Sequence, residues 1–163
     1  MVVTTVAAEI SWLFEVLVDR ADTLDPAVLT ASPGPHAPPI AFHVWHVARW
    51  SDRLAAEMPR LLGRSEPGTR AEDIWTREAW AARWGLNEEL GRHASGWGLA
   101  DEIAGTLPWP RPSVFLGYVR PALQACREAV DDLVDDDLER SCADLYDEES
   151  TVGEVVILSL IHI

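Results

Sequence analysis

IAFHVWHVARWSDRLAAE, Ile40 to Glu57, is the stretch from which the fold can be read. On a 3.6-residue wheel, Ile40, Val47, Trp50 and Leu54 gather on one face with Met58 just beyond, the pattern of an amphipathic helix packed in a bundle. Pro39 suits the first position of such a helix, because the N–H it lacks would have no partner there. Two histidines stand in this stretch: the wheel places His43 near the middle of the apolar stripe and His46 at its flank. An imidazole in a core is costly unless it is hydrogen-bonded or holds a metal, so chemistry is to be sought on this helix. Asp52 falls on a different face from His46 and reads as a surface or inter-element partner, not as a ligand.

Outward from this helix, the periodicity continues. Val6, Ile10, Leu13, Leu17 and Ala21 recur at helical spacing and predict a first helix over about Thr5 to Asp22. Asp25-Pro26 opens a turn, and SPGPHAPP (Ser32 to Pro39) is an extended connector in which His36 is a solvated loop residue. The second helix is expected to fade by Pro59 or shortly after, with Gly63 as its stop signal. Arg64 to Arg111 is then a long crossing broken by Pro and Gly, with helical patches near Glu72 to Trp84 and Leu99 to Ala104. Trp75, Trp80, Trp84 and Trp97 lie in it and Trp109 near its end; these indoles are expected to clamp the crossing onto the bundle. His93 reads as a loop residue.

Leu116, Val119, Leu123, Cys126, Val130 and Leu133 alternate steps of three and four and predict a third helix over Ser113 to Val134, kinked near Gly117 by Pro121. After an acidic turn, Thr151-Val-Gly-Glu154 has the form of a capping box and announces a fourth helix of about three turns. The expected fold is therefore all-α: a four-helix bundle with a long crossing between helices 2 and 3 and a truncated helix 4. The last six residues, Leu158 to Ile163 (LSLIHI), are what CTGTCTCTTATACACATC encodes, the transposon-end adaptor of a common sequencing-library method. The expectation is a bundle domain over 1–157 and an adaptor tail over 158–163.

At 163 residues one domain suffices to bury a core, and 48% apolar composition is that of a globular chain. No apolar run approaches the ~20 residues of a membrane span, and MVVTTVAAE lacks the basic start of a signal peptide. A cytoplasmic protein with no membrane partner is expected. The net charge of −14 opposes nucleic-acid binding, which needs a basic footprint. Cys126 and Cys142 match no metal or disulfide pattern, and Cys126, on an apolar helix face, reads as a small hydrophobe.

The order of helix, Pro-rich turn, helix with HVWHVARWSD, Trp-rich crossing, helix and TVGEVV resembles the DinB-like superfamily over nearly the whole chain. PPIAFHVWHVARWSDR is similar to the family's second helix, and IWTREAWAARWGL to the crossing of its actinobacterial members. The resemblance implies an up-down-down-up bundle and, in many members, a divalent metal held by three histidines, one on the second helix and two on the fourth. The second-helix ligand precedes an apolar residue and Ala, which selects His46 in His46-Val47-Ala48, whereas the wheel favours His43. On the fourth helix, His162 stands where the first of the paired histidines would be. Zinc, nickel, iron or manganese would each suit imidazole, and an open site could activate a bound thiol or water.

Two functions follow as expectations. One is a metal-dependent enzyme that transfers a low-molecular-weight thiol, mycothiol or bacillithiol, to a small electrophile. The other is a stress-related binding bundle without turnover, a homodimer through an apolar helix face.

Overall fold

In the computed structural model, which describes residues 2–34, 36–66, 69–86, 90–145 and 148–161, the first amphipathic pattern forms helix α1 (Val2–Thr23). Asp25 then caps a single-turn helix α2 (Pro26–Thr30), its Oδ1 accepting from Ala27 N at 2.8 Å with Pro26 in the first turn. The second pattern forms α3 (Ile40–Leu61), which runs through Pro59. It ends in a Schellman motif: Gly63, at φ 66°, donates to Arg60 O, and Arg64 N donates to Pro59 O.

The crossing carries three short helices, α4 (Ile74–Arg77), α5 (Trp80–Trp84) and α6 (Asp101–Ala104). The third long helix, α7 (Pro112–Asp131), continues unbroken across Pro121. The acidic turn folds into α8 (Asp135–Leu138) and a hairpin, β1 (Ser141–Ala143) against β2 (Glu149–Thr151), antiparallel with Cys142 opposite Ser150. No alternating pattern announces these strands of three residues. They are held instead by side chains of α3, where Arg53 donates to Leu145 O and Arg60 to Ala143 O and Asp144 O. The capping box opens α9 (Val152–Ile161): Glu154 N donates to Thr151 Oγ1 at 3.2 Å, and Glu154 Oε2 accepts from Thr151 N at 2.9 Å.

Four helix ends converge around α8. Val3 N, at the start of α1, donates to Asp135; Arg64, just past the end of α3, pairs with Asp137; and Val152 N donates to Arg140 O. Helices α3 and α7 therefore end where α1 and α9 begin, an up-down-down-up course. Ion pairs Arg120–Asp22 and Arg127–Glu15 run in opposite directions along α7 and α1, as that course requires. The extensive interfaces are α3 with α7, α1 with α7, and α3 with α9, whereas α1 touches α3 only lightly. Among the described residues, no helix is long and apolar enough to cross a membrane.

Three indoles of the crossing pack inward as expected. Trp75, Trp80 and Trp84 are buried and close around Tyr118 of α7, with ring centroids 4.9, 5.8 and 5.8 Å from its ring. Trp84 also stacks on Phe115 at 5.5 Å. Trp109 is half-buried against Phe42, Trp45 and Phe115. Trp97 departs from the expectation: it lies at the surface, 36% exposed, beneath the Arg92 guanidinium at 4.6 Å. Removing a well-packed indole costs about 3–5 kcal/mol, so Trp84→Ala should lose that much stability in urea unfolding. Trp12→Ala, on a side chain 62% exposed, should change it by less than about 0.5 kcal/mol. Equal effects would disprove the clamp.

Candidate functional site

His46 is half-buried on α3, stacked on Phe42 (6.0 Å, 12°) and set edgewise to Trp50 (6.2 Å, 79°). Its Nδ1 lies 2.5 Å from the carbonyl oxygen of Ser95. A carbonyl only accepts, so Nδ1 carries a hydrogen, and when the ring is neutral its lone pair is on Nε2. Metal-bound histidines are oriented in this way, by a carbonyl or carboxylate on the other nitrogen.

The Ser95 carbonyl is presented by a tight loop from Gly91 to Gly98. Arg92 N donates to Trp97 O, Gly96 N to Leu90 O, and Ser95 Oγ to Arg92 O. Gly96, at φ 88°, lies directly on α3: a Cβ there would fall 2.8 Å from Phe42 Cζ and 2.9 Å from Trp45 Cζ3. Only glycine permits this approach.

One helical turn along α3 from His46, Arg49 is 2% exposed, and each of its five N–H bonds meets an acceptor. Nε donates to Ala94 O (2.9 Å), Nη1 to Asp52 Oδ2 and Tyr118 Oη (both 3.2 Å), and Nη2 to Asp73 Oδ2 (2.9 Å) and His93 O (3.3 Å). Its guanidinium also lies over Trp75, 5.2 Å from the ring centroid. Asp52, 1% exposed, accepts from Ile74 N, Trp75 N and Tyr118 Oη as well. Asp73 caps α4 by accepting from Thr76 N.

Burial opposes the charge of Arg49, but Tyr118 and Asp73 outweigh it and raise its pKa further. Burial also pushes Asp73 up, yet Arg49 and the Thr76 cap hold it below the usual carboxylate range. For Asp52 burial prevails over the donors from Ile74 and Trp75, and its pKa is raised. Every group aimed at Asp52 can donate, an arrangement that fits the carboxylate form. Burial likewise carries Tyr118 well above its ordinary value, so it serves as a neutral hydroxyl.

The family model described as the DinB superfamily matches residues 9–163. The chain belongs to the DinB superfamily. A crystal structure of a conserved protein from Enterococcus faecalis superposes with a TM-score of 0.71 at 14% identity, covering 99% of this chain and 91% of that one. At that identity the likeness is one of fold. No curated protein matches the chain.

In this DinB-superfamily bundle the two histidines of α3 are placed differently. His46 is the inward one, and His43 is exposed, its ring at the edge of Phe42. The wheel had centred its stripe on the side of His43 and Ile40, and Ile40 is also exposed, at 41%. The error has a physical cause: α3 is enclosed by α7, α9 and the crossing together, so its buried surface extends far beyond one stripe and takes in Ala41, Val44, Trp45 and Ala48. Asp52, expected at the surface or between elements, is buried between elements.

His162 lies outside the described residues. Among the described residues, no group of three or more His, Cys, Asp or Glu side chains could hold a metal ion. His93 is exposed in the loop at φ 57°, with burial and the nearby Arg53, Arg92 and Arg70 lowering its pKa. His36 is exposed and pairs with Glu102. Cys126 is fully buried, its thiol pushed up to about 12 by burial.

The sequence reading passed over Arg49 and Asp73. Arg49 carries a recognisable signal: a charged residue amid Val44, Trp45, Val47, Ala48 and Trp50, with Asp52 three residues on. Asp73 contributes stability that is fully present above the unfolded-state pKa of ~3.9 and is lost as pH falls through its lower folded value. Asp52, raised, contributes with the opposite sign. Asp73→Asn should therefore lower stability at neutral pH and flatten its decline below about pH 4. Urea unfolding at a series of pH values checks this, and an unchanged slope would contradict it.

Proposed function

We propose that this chain acts as a divalent-metal-dependent member of its superfamily, with His46 as a metal ligand, and that it transfers a low-molecular-weight thiol of the mycothiol type to a small electrophile. The observation that carries the proposal is the bond from His46 Nδ1 to Ser95 O, the kind of contact that orients metal-bound histidines. The bundle's course supports it, because α9 packs on α3 and runs toward the end at which α3 begins. His162, beyond the described residues, is a weak candidate for the second ligand; if residues 158–163 are adaptor, the partners of His46 belong to the native continuation of α9. Zinc, nickel, iron and manganese all accept imidazole. When bound, such a metal lowers the pKa of a coordinated thiol or water. A supplied thiol also agrees with the state of Cys126, whose burial keeps it protonated and out of reach.

The test is calorimetric titration with Zn²⁺, Ni²⁺ and Mn²⁺, together with elemental analysis of the purified protein. One site per chain is expected, abolished by His46→Ala and retained by His43→Ala. Equal binding by the parent and His46→Ala would remove His46 as a ligand, and negligible binding by both would remove the metal and, with it, the transferase.

A different observation favours the second reading, a dimerising bundle without turnover. Ile10, Trp12 and Leu13 of α1 and Ile157 of α9 line a groove of about 350 Å³ that is almost wholly apolar. If that face pairs two copies, Trp12→Glu should convert dimer to monomer in sedimentation equilibrium, and a parent that is already monomeric would dismiss it.

A further inference from the structure

We infer that Arg49 is a positioning residue for His46, acting through the loop from Gly91 to Gly98. The metal part of its consequence rests on the proposed role of His46; the positioning itself does not. Three successive carbonyls of this loop turn toward α3. Arg49 holds those of His93 and Ala94, through Nη2 at 3.3 Å and Nε at 2.9 Å, and the next one, of Ser95, receives His46 Nδ1.

Turning them the same way requires His93 and Ala94 at φ 57° and 50°, a conformation that residues with a Cβ rarely adopt. Such outliers persist only where their surroundings over-determine them. Here the determinant is a planar fork whose remaining donors are fixed by Asp52, Asp73 and Tyr118, so the guanidinium is already in place when the loop meets it.

Neutralising two carboxylates would not by itself require Nε, or the second hydrogen of Nη2, to face the loop. Those two bonds are what the loop conformation needs. Gly96 completes the device: only without a Cβ can the segment after Ser95 lie on Phe42 and Trp45, which keeps the Ser95 oxygen over His46.

The test reads the imidazole directly, by long-range ¹H–¹⁵N correlation at a pH where the ring is neutral. The parent should show His46 as the Nδ1–H tautomer. Arg49→Lys keeps the charge between Asp52 and Asp73, but an ammonium cannot span two carboxylates and two carbonyls. Gly96→Ala displaces the loop and with it both carbonyls that Arg49 holds; Arg49→Gln, whose single amide cannot span them, decides the matter if Arg49→Lys does not fold. All three should lose the Nδ1–H tautomer as the major form and weaken Zn²⁺ binding about 10- to 100-fold, the usual effect of removing a partner that orients a ligand.

Tyr118→Phe removes one of the two acceptors on Nη1 while Asp52 and Asp73 still hold the fork, and should leave the tautomer as in the parent. A folded Arg49→Lys or Arg49→Gln protein that keeps the Nδ1–H tautomer would overturn the inference. If the parent binds no Zn²⁺ while the tautomer still responds, the metal role of His46 fails and the positioning role of Arg49 stands.

Discussion

The buried guanidinium of Arg49 is the interaction on which the arrangement of this molecule depends. A charge taken out of water is costly unless its donors are used and its field is answered. Here all five donors are used, and the acceptors come from α3 itself, α7, the start of α4 and the loop after Leu90. No one of these segments could satisfy the group alone. The burial of Arg49 therefore constrains where each of them lies relative to the others, and a chain that misplaced the crossing would leave Arg49, Asp52 and Asp73 with unanswered charge.

Around this polar centre the aromatic residues supply the apolar burial. Trp45, Trp75, Trp80, Trp84, Phe115 and Tyr118 form a continuous set of edge, tilted and stacked contacts between α3, the crossing and α7. The indole N–H groups of Trp45, Trp80 and Trp84 find no acceptor among the described residues, so these side chains act through area and shape. The division of labour is physical: ring packing tolerates small shifts, whereas the hydrogen-bonded fork of Arg49 fixes direction.

The long elements were legible because each obeys a local rule. Helical periodicity gave α1, α3 and α7 to within a few residues, and Thr151 with Glu154 marked the start of α9 through a cap whose two bonds are both made. The hairpin was not legible, since its strands are three residues long and lean on Arg53 and Arg60 from a distant helix. The candidate site was half legible. The family motif singled out His46, while a wheel drawn for one apolar stripe favoured the exposed His43, because no wheel anticipates a crossing that covers a second side of the helix. Ser95 could not have been found from its type at all, for it contributes a backbone carbonyl.

The pairing of the long helices carries a consequence for how the chain folds. Helices adjacent in sequence, α1 and α3, barely touch, and the large interfaces join α1 to α7 and α3 to α7 across long intervals of chain. Most helical bundles owe their fast folding to local contacts; this one has a high contact order for its class and should fold more slowly than an up-and-down bundle of equal length. The first two long helices, α1 and α3, therefore form no stable half on their own. Unfolding is then expected to be cooperative over the whole bundle, and a chain severed within the crossing would need both pieces together to regain its structure.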